Sequence, residues 1–163
     1  MKIKVKLHEG QEALQIIEKG EWIDLSAPKD IILNRNCHSN FKLGIAVKIP
    51  KGYEMIIAPR SSTFFKYKIM MTNGIGVIDS SYSGTNDIIR FPFYCFKDSI
   101  INKGDRVAQF RIQLSQKATI FQKLKWLFTH RIKFEYVDEL DEIDSPNLNE
   151  IMQDFIKEYN FKK

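Results

Sequence analysis

The chain has 163 residues, 44% of them hydrophobic and 28% charged, which suits one globular domain with a real core rather than a disordered protein. No apolar run approaches the ~20 residues that span a bilayer. The opening MKIKVKLHEG lacks the apolar stretch of a signal peptide, so the expected location is the cytoplasm. A formal charge of +5 fits an anionic partner, either nucleic acid or nucleotide, and is also met by solubility alone, so it gives no reason to invoke specific nucleic-acid binding.

Short apolar runs recur with turn signals between them, at residues 3–7, 22–25, 31–33, 43–49, 53–58, 69–72, 88–96 and 106–112. Gly20, Pro28 and the stretches 34–36, 50–52, 73–76, 83–86 and 102–105 punctuate them. Many short strands at near-regular spacing predict a mainly β sandwich or barrel. Residues 10–19, with Ala13, Leu14, Ile16 and Ile17, read as a brief helical turn or a loop. After Ile112 the pattern changes. Ile120, Phe121, Leu124, Leu127 and Phe128 recur at steps of three and four, with Lys123, Lys125, His130 and Arg131 elsewhere, so a short basic amphipathic helix is predicted within about 118–130. IKFEYVDEL then alternates as a strand does, with Ile132, Phe134 and Tyr136 on one face and Lys133 and Glu135 on the other. Ser145 as N-cap and Pro146 at the first helical position open a second stripe of Leu148, Ile151, Met152, Phe155, Ile156 and Tyr159. Both helices read as packing elements. The organisation expected is a β domain over 1–140 and a helical tail over 141–163. Cys37 and Cys95 form no paired motif and read as reduced thiols, and His8, His38 and His130 are isolated, which argues against a metal cluster.

Four stretches could carry chemistry. GVIDSSYSG at 76–84 sets one acid and one tyrosine among small residues, a composition that a tight hairpin also favours. APRSS at 58–62 places Arg60 beside two hydroxyls at a strand end, where planar charged donors, hydroxyls and turn N–H groups suit an anion. NKGDRVAQF at 102–110 runs from a Gly-Asp turn into a strand holding Gln109, with Arg106 placed to pair with a nearby acid. In GEWIDLSA, Asp24 stands alone among apolar residues, and a buried acid needs donors or a cation.

The order PRSS, TNGIGVIDSSYSG, GDRVAQF, with WIDLSA upstream, resembles the trimeric all-β dUTPase family over about residues 20–140. The second, third and fourth motifs of that family match residue by residue. The resemblance implies a distorted jelly-roll barrel, a homotrimer with shared active sites, and hydrolysis of dUTP to dUMP and pyrophosphate by water attack at the α-phosphorus. It makes Asp79 the general base and sets Tyr82 under the deoxyribose. Asn73, with backbone groups around Gly76, Val77 and Ile78, would read uracil. Arg60, Ser61, Ser62 and Gln109 fall on phosphate-contacting positions. The implied cofactor is Mg²⁺, held mainly by the three phosphates and water, with Asp24 on its side through water.

Two departures stand out. The first motif reads Glu21-Trp22-Ile23-Asp24-Leu25, with Trp22 where the family has glycine. The family's fifth motif, a glycine-rich lid, has no counterpart, because no glycine follows Gly104. Two classes of function therefore stay open: a dUTP pyrophosphatase with a different or missing lid, and a relative that binds nucleotide or a protein partner at the added helices but turns over poorly. A deaminase-type relative on the same fold fits GVIDSSYSG less well.

Overall fold

A computed structural model describes residues 1–15, 21–128 and 132–140. The second half of the 10–19 stretch, His130, Arg131 and the predicted tail helix lie outside those residues.

Alternation at period two builds the strands. In Tyr53–Pro59 (β6), Tyr53, Met55 and Ile57 point inward and are buried, while Glu54 and Ile56 are partly exposed. Lys2–Leu7 (β1), Ile23–Ser26 (β2), Ile31–Leu33 (β3), Cys37–Lys42 (β4) and Ile45–Lys48 (β5) precede it. A short helix, Thr63–Tyr67 (α1), and the strands Ile69–Met71 (β7), Gly76–Ile78 (β8), Arg90–Cys95 (β9), Ser99–Ile101 (β10) and Arg106–Leu114 (β11) follow. Ile120–Phe128 (α2) and Lys133–Tyr136 (β12) complete the described chain. The strands form four small sheets, ordered β12-β1-β5, β10-β3, β2-β11-β6-β8 and β4-β9-β7. The architecture is thus mainly β, as its spacing predicted. Phe91, Phe110, Ile3, Leu25 and Met55 are wholly buried in one core, and the rings of Phe41 and Phe91 stack at 5.2 Å. Each such side chain contributes about 1.5–3 kcal/mol relative to exposure.

Three details differ from the sequence expectation. GVIDSSYSG is not a two-stranded hairpin. Its strand β8 pairs with β6, and the residues after Ile78 form a turn without a ladder partner among the described residues. β4 was not predicted, because only Phe41 of CHSNFK is buried and no apolar alternation marks it. The third concerns α2, whose side chains include none that is buried. Its predicted apolar stripe faces outward, and contact with the barrel comes from Trp126, 5.7 Å from the Tyr53 ring, and from Gln122, whose Nε2 donates to the Lys51 carbonyl at 2.6 Å. The cysteines, distant in sequence, are register partners across β4 and β9, and both are free thiols.

Candidate active site

β11 runs between β2 and β6, and its register sets Asp24, Gln109 and Ala58 side by side. Asp24 is mostly buried, and each of its carboxylate oxygens meets a guanidinium. Arg60 Nε lies 2.7 Å from Oδ1, and Arg106 Nη1 donates to Oδ2 at 3.0 Å. The cation that a lone acid among apolar residues requires is therefore supplied twice. Gln109 Nε2 donates to the Pro59 carbonyl at 3.4 Å, which draws its amide toward the Arg60 turn. Ser61 and Ser62 are exposed at the entrance to α1.

That turn is fixed from beneath. Thr63 is buried, and its hydroxyl donates to the Val107 carbonyl at 2.7 Å. The Arg60 N–H reaches the same carbonyl, at 3.4 Å. Lys66 of α1 pairs with Asp105 at 2.8 Å, tying the helix to the Gly-Asp turn before β11. The hydrogen bond to Asp105 raises the Lys66 pKa, and the Lys66 ammonium, with the Asn102 N–H, holds the Asp105 carboxyl below its ordinary value against the opposing effect of burial. Thr63 and Lys66 escaped the sequence reading, since neither stands out from a strand-end motif. Beside Asp24 and Arg106 opens a cleft of about 260 Å³, walled by residues 11–15 and Gly104. Two arginines, two hydroxyls and an amide at one sheet end are donors suited to phosphate oxygens.

The second cluster lies along β8. This is the edge strand of its sheet, so the backbone groups of Gly76, Val77 and Ile78 that do not face β6 are left for another partner. Asn73 is exposed just before it, and its carbonyl accepts from the Ile75 N–H at 2.7 Å. Beyond Ile78, Asp79 opens a turn. Its Oδ1 accepts the Ser81 N–H at 2.8 Å and the Ser81 hydroxyl, and these two bonds hold the Asp79 carboxyl below its ordinary pKa, outweighing slight desolvation. Ser81 was not singled out from sequence, although an Asp two residues before a Ser is the signature of such a local turn. Tyr82 is partly exposed, and its hydroxyl donates to the Ile88 carbonyl at 3.3 Å. Burial first, then the Asp87 charge, pushes its pKa up, so the donor proton stays in place.

By strand register the two clusters sit at different levels of the same sheet. Gly76 stands opposite Ile57 and Ile78 opposite Met55, so Asp79, the first residue beyond β8, leaves the sheet near the Glu54 level. From that level to Arg60 is six strand residues, roughly 20 Å. Gln109, level with Ala58, is roughly 13 Å along the strand from the Asp79 level. Asp24, Arg60, Ser61, Ser62 and Gln109 are thus gathered at one end of the sheet. Asn73, Gly76, Val77, Ile78, Asp79 and Tyr82 belong to its β8 edge.

Neither cluster is a cage for a resident metal ion. Among the described residues, no three His, Cys, Asp or Glu side chains are placed to hold one. The expected metal-side acid, Asp24, has both oxygens engaged by arginine. What the donors fit is an anion.

A mainly β barrel with an arginine-rich anion end on one sheet and a constrained Asp-Ser-Tyr turn at the sheet's edge defines a phosphate-handling barrel. A family model described as dUTPase matches residues 22–127. The SPbeta prophage-derived deoxyuridine 5′-triphosphate nucleotidohydrolase YosS of Bacillus subtilis is 44% identical over 119 residues, which are 72% of this chain and 84% of that protein. The deoxyuridine 5′-triphosphate nucleotidohydrolase of Syntrophotalea carbinolica is 32% identical over 75% of this chain and 74% of its own length. Among solved structures, the Staphylococcus bacteriophage 80alpha dUTPase aligns with a TM-score of 0.60 at 19% identity, covering 72% of this chain and 93% of that one. A mutant dUTPase from phage phi11 of S. aureus, described with a structural Mg(II) ion, aligns with a TM-score of 0.61 at 18% identity, over 72% and 94%. The chain belongs to the dUTPase family.

Proposed function

We propose that the protein hydrolyses dUTP, taken as its magnesium complex, to dUMP and pyrophosphate by water attack at the α-phosphorus, lowering dUTP and supplying dUMP for thymidylate synthesis. The observation that carries this reading is the Asp79 carboxylate, kept ionised and fixed in direction by the two Ser81 donors. A carboxylate of lowered pKa is a weak base, so it acts by orienting a water and accepting its proton as the bond to phosphorus forms. Tyr82, its hydroxyl tied to Ile88, presents its ring as a floor for the deoxyribose and leaves no room for a 2′-hydroxyl. Uracil offers acceptor, donor and acceptor along one edge, and the outward backbone groups of Gly76, Val77 and Ile78, helped by Asn73, match that order. Arg60, Ser61, Ser62 and Gln109 receive the phosphates. The magnesium that arrives with the triphosphate neutralises charge on the leaving pyrophosphate.

The offset between the two clusters supports a site shared between chains, with the Asp79 turn of one subunit meeting the arginine end of another in a homotrimer. In this arrangement Asp24 orients Arg60 and Arg106. That role is closer to the observed distances than a water-mediated hold on the metal. The domain limits fit a β unit over residues 1–140 with α2 as an insertion, and the compartment proposed is the cytoplasm.

Pyrophosphate release from dUTP with Mg²⁺ tests the reading. Asp79→Asn should lower kcat by at least about a hundredfold while dUTP still binds. Turnover unchanged by that substitution would overturn it. One feature favours a second reading as a nucleotide-binding or protein-interaction module with weak turnover: residues 105–163 hold no glycine, the residue that a phosphate-cradling lid uses for its backbone freedom. Tight dUTP binding with no pyrophosphate released by the unmodified protein would favour it.

A further inference from the structure

α2 carries an apolar stripe that the barrel does not cover. Phe121 is 80% exposed, Phe128 83%, Leu127 70%, Ile120 64% and Leu124 48%. The helix is anchored through its other side by Trp126 on Tyr53 and Gln122 on Lys51. Next to this anchor lies a cleft of about 390 Å³, floored by Ile49 and Pro50 and rimmed by Lys4, Lys48 and Lys51 and by the Lys2–Glu135 ion pair. The α2 segment itself is basic, since residues 117–134 contain five Lys or Arg and no acid.

The chain's own C-terminal portion is the complement. Residues 138–154 contain seven acids and no basic residue. Within and just beyond that stretch, after Ser145-Pro146, come Leu148, Ile151, Met152, Phe155, Ile156 and Tyr159, an apolar stripe at helical spacing. Twelve helical residues make about 18 Å, enough to cover the nine of α2 at about 13.5 Å. The tether also suffices. Leu140 is fixed by two hydrogen bonds with the Thr85 hydroxyl, at 2.7 and 3.0 Å. Seven residues, at most about 23 Å of chain, separate it from Lys133 at the α2 end of the sheet. From residue 140 to 148 the chain spans up to about 27 Å, so it can return that distance.

We propose that residues 148–159 dock as an amphipathic helix on the α2 stripe of the same chain, with their acids against the surrounding lysines. The tail is then a structural cover for the added helix, and it makes the two additions one element.

Hydrogen–deuterium exchange on the full chain tests this. The amides of 148–159 and of α2 should exchange at least about tenfold more slowly than in Leu124→Asp/Leu127→Asp, with the barrel strands unchanged. Ile151→Asp/Phe155→Asp, which leaves α2 and the barrel intact, should release both segments equally. The acidic face is checked separately: Lys123→Glu/Lys125→Glu should speed exchange of the tail, and Glu150→Lys/Asp154→Lys should restore protection. Paired Leu127→Cys and Ile151→Cys should form a disulfide within one chain, seen as a faster monomer band absent from either single variant. Tail amides that exchange as an unstructured peptide in the unmodified protein would overturn the proposal. So would a cross-link found only between chains, which would assign the stripe to a second copy, or tail protection that survives both double-Asp variants.

Discussion

Ser81 decides how Asp79 works, because the two bonds it donates are the main reason that the carboxyl sits below its ordinary value. Ser81→Ala removes the hydroxyl bond and keeps the N–H. With less stabilisation of the charged form, the Asp79 pKa should rise, and the acid limb of the kcat/KM profile should move to higher pH. A limb that moves to lower pH, or stays in place while the carboxyl titration followed by NMR shifts, would detach Asp79 from the rate. Asp24 makes a different demand. Asp24→Asn leaves the anion end more positive, so a pure charge effect would tighten dUTP binding. A positioning role predicts the reverse: Arg60 and Arg106 lose a shared anchor, and kcat/KM falls about ten- to a hundredfold. Steady-state kinetics separate the two, since improved KM at unchanged kcat would reject the positioning role.

The elements show why some of this could be read from sequence and some could not. β6 and β11 were legible because their buried residues alternate and the partner strands on both sides leave them little choice of face. β4 and the three-residue β10 were not, since their pairing is decided by neighbours rather than by their own pattern. The residues of the site were legible as motifs. Their separation by the β6–β8 register was not, because no local signal in GVIDSSYSG specifies which strand it joins. α2 was found for the right periodicity, yet the stripe that revealed it turns away from the barrel. Turns add a contrast that the motifs hide. Gly104 has φ of +83° and open space around a would-be Cβ, so Gly104→Ala should cost about 1–2 kcal/mol from backbone conformation alone. At Gly10, also at positive φ, the Cβ would lie 2.3 Å from the Pro28 carbonyl oxygen, so Gly10→Ala must move backbone and should cost more. Urea midpoints at unchanged m-value measure both, and equal losses would contradict the steric difference.

At the scale of the whole molecule, the roughly 20 Å between the Asp79 level and Arg60 makes a prediction about assembly. A site built in one chain needs both clusters from that chain, so two subunits with different lesions can never repair one another. A site built across a subunit boundary behaves otherwise. Asp79→Asn subunits still carry an intact arginine end, and Arg60→Ala subunits still carry an intact Asp79 turn. Each variant alone should be nearly inactive. Co-refolded in equal amounts as mixed trimers, they should regain about one quarter of the unmodified activity, because random assembly pairs an intact turn with an intact arginine end at that frequency. Pyrophosphate release from dUTP reports the recovery, and gel filtration confirms that the mixed species is trimeric. Mixing without refolding should restore little if subunits exchange slowly. No recovery in verified mixed trimers would place both clusters in one chain's site and require the Asp79 turn to swing along the sheet. A monomer with full activity would overturn the shared site outright.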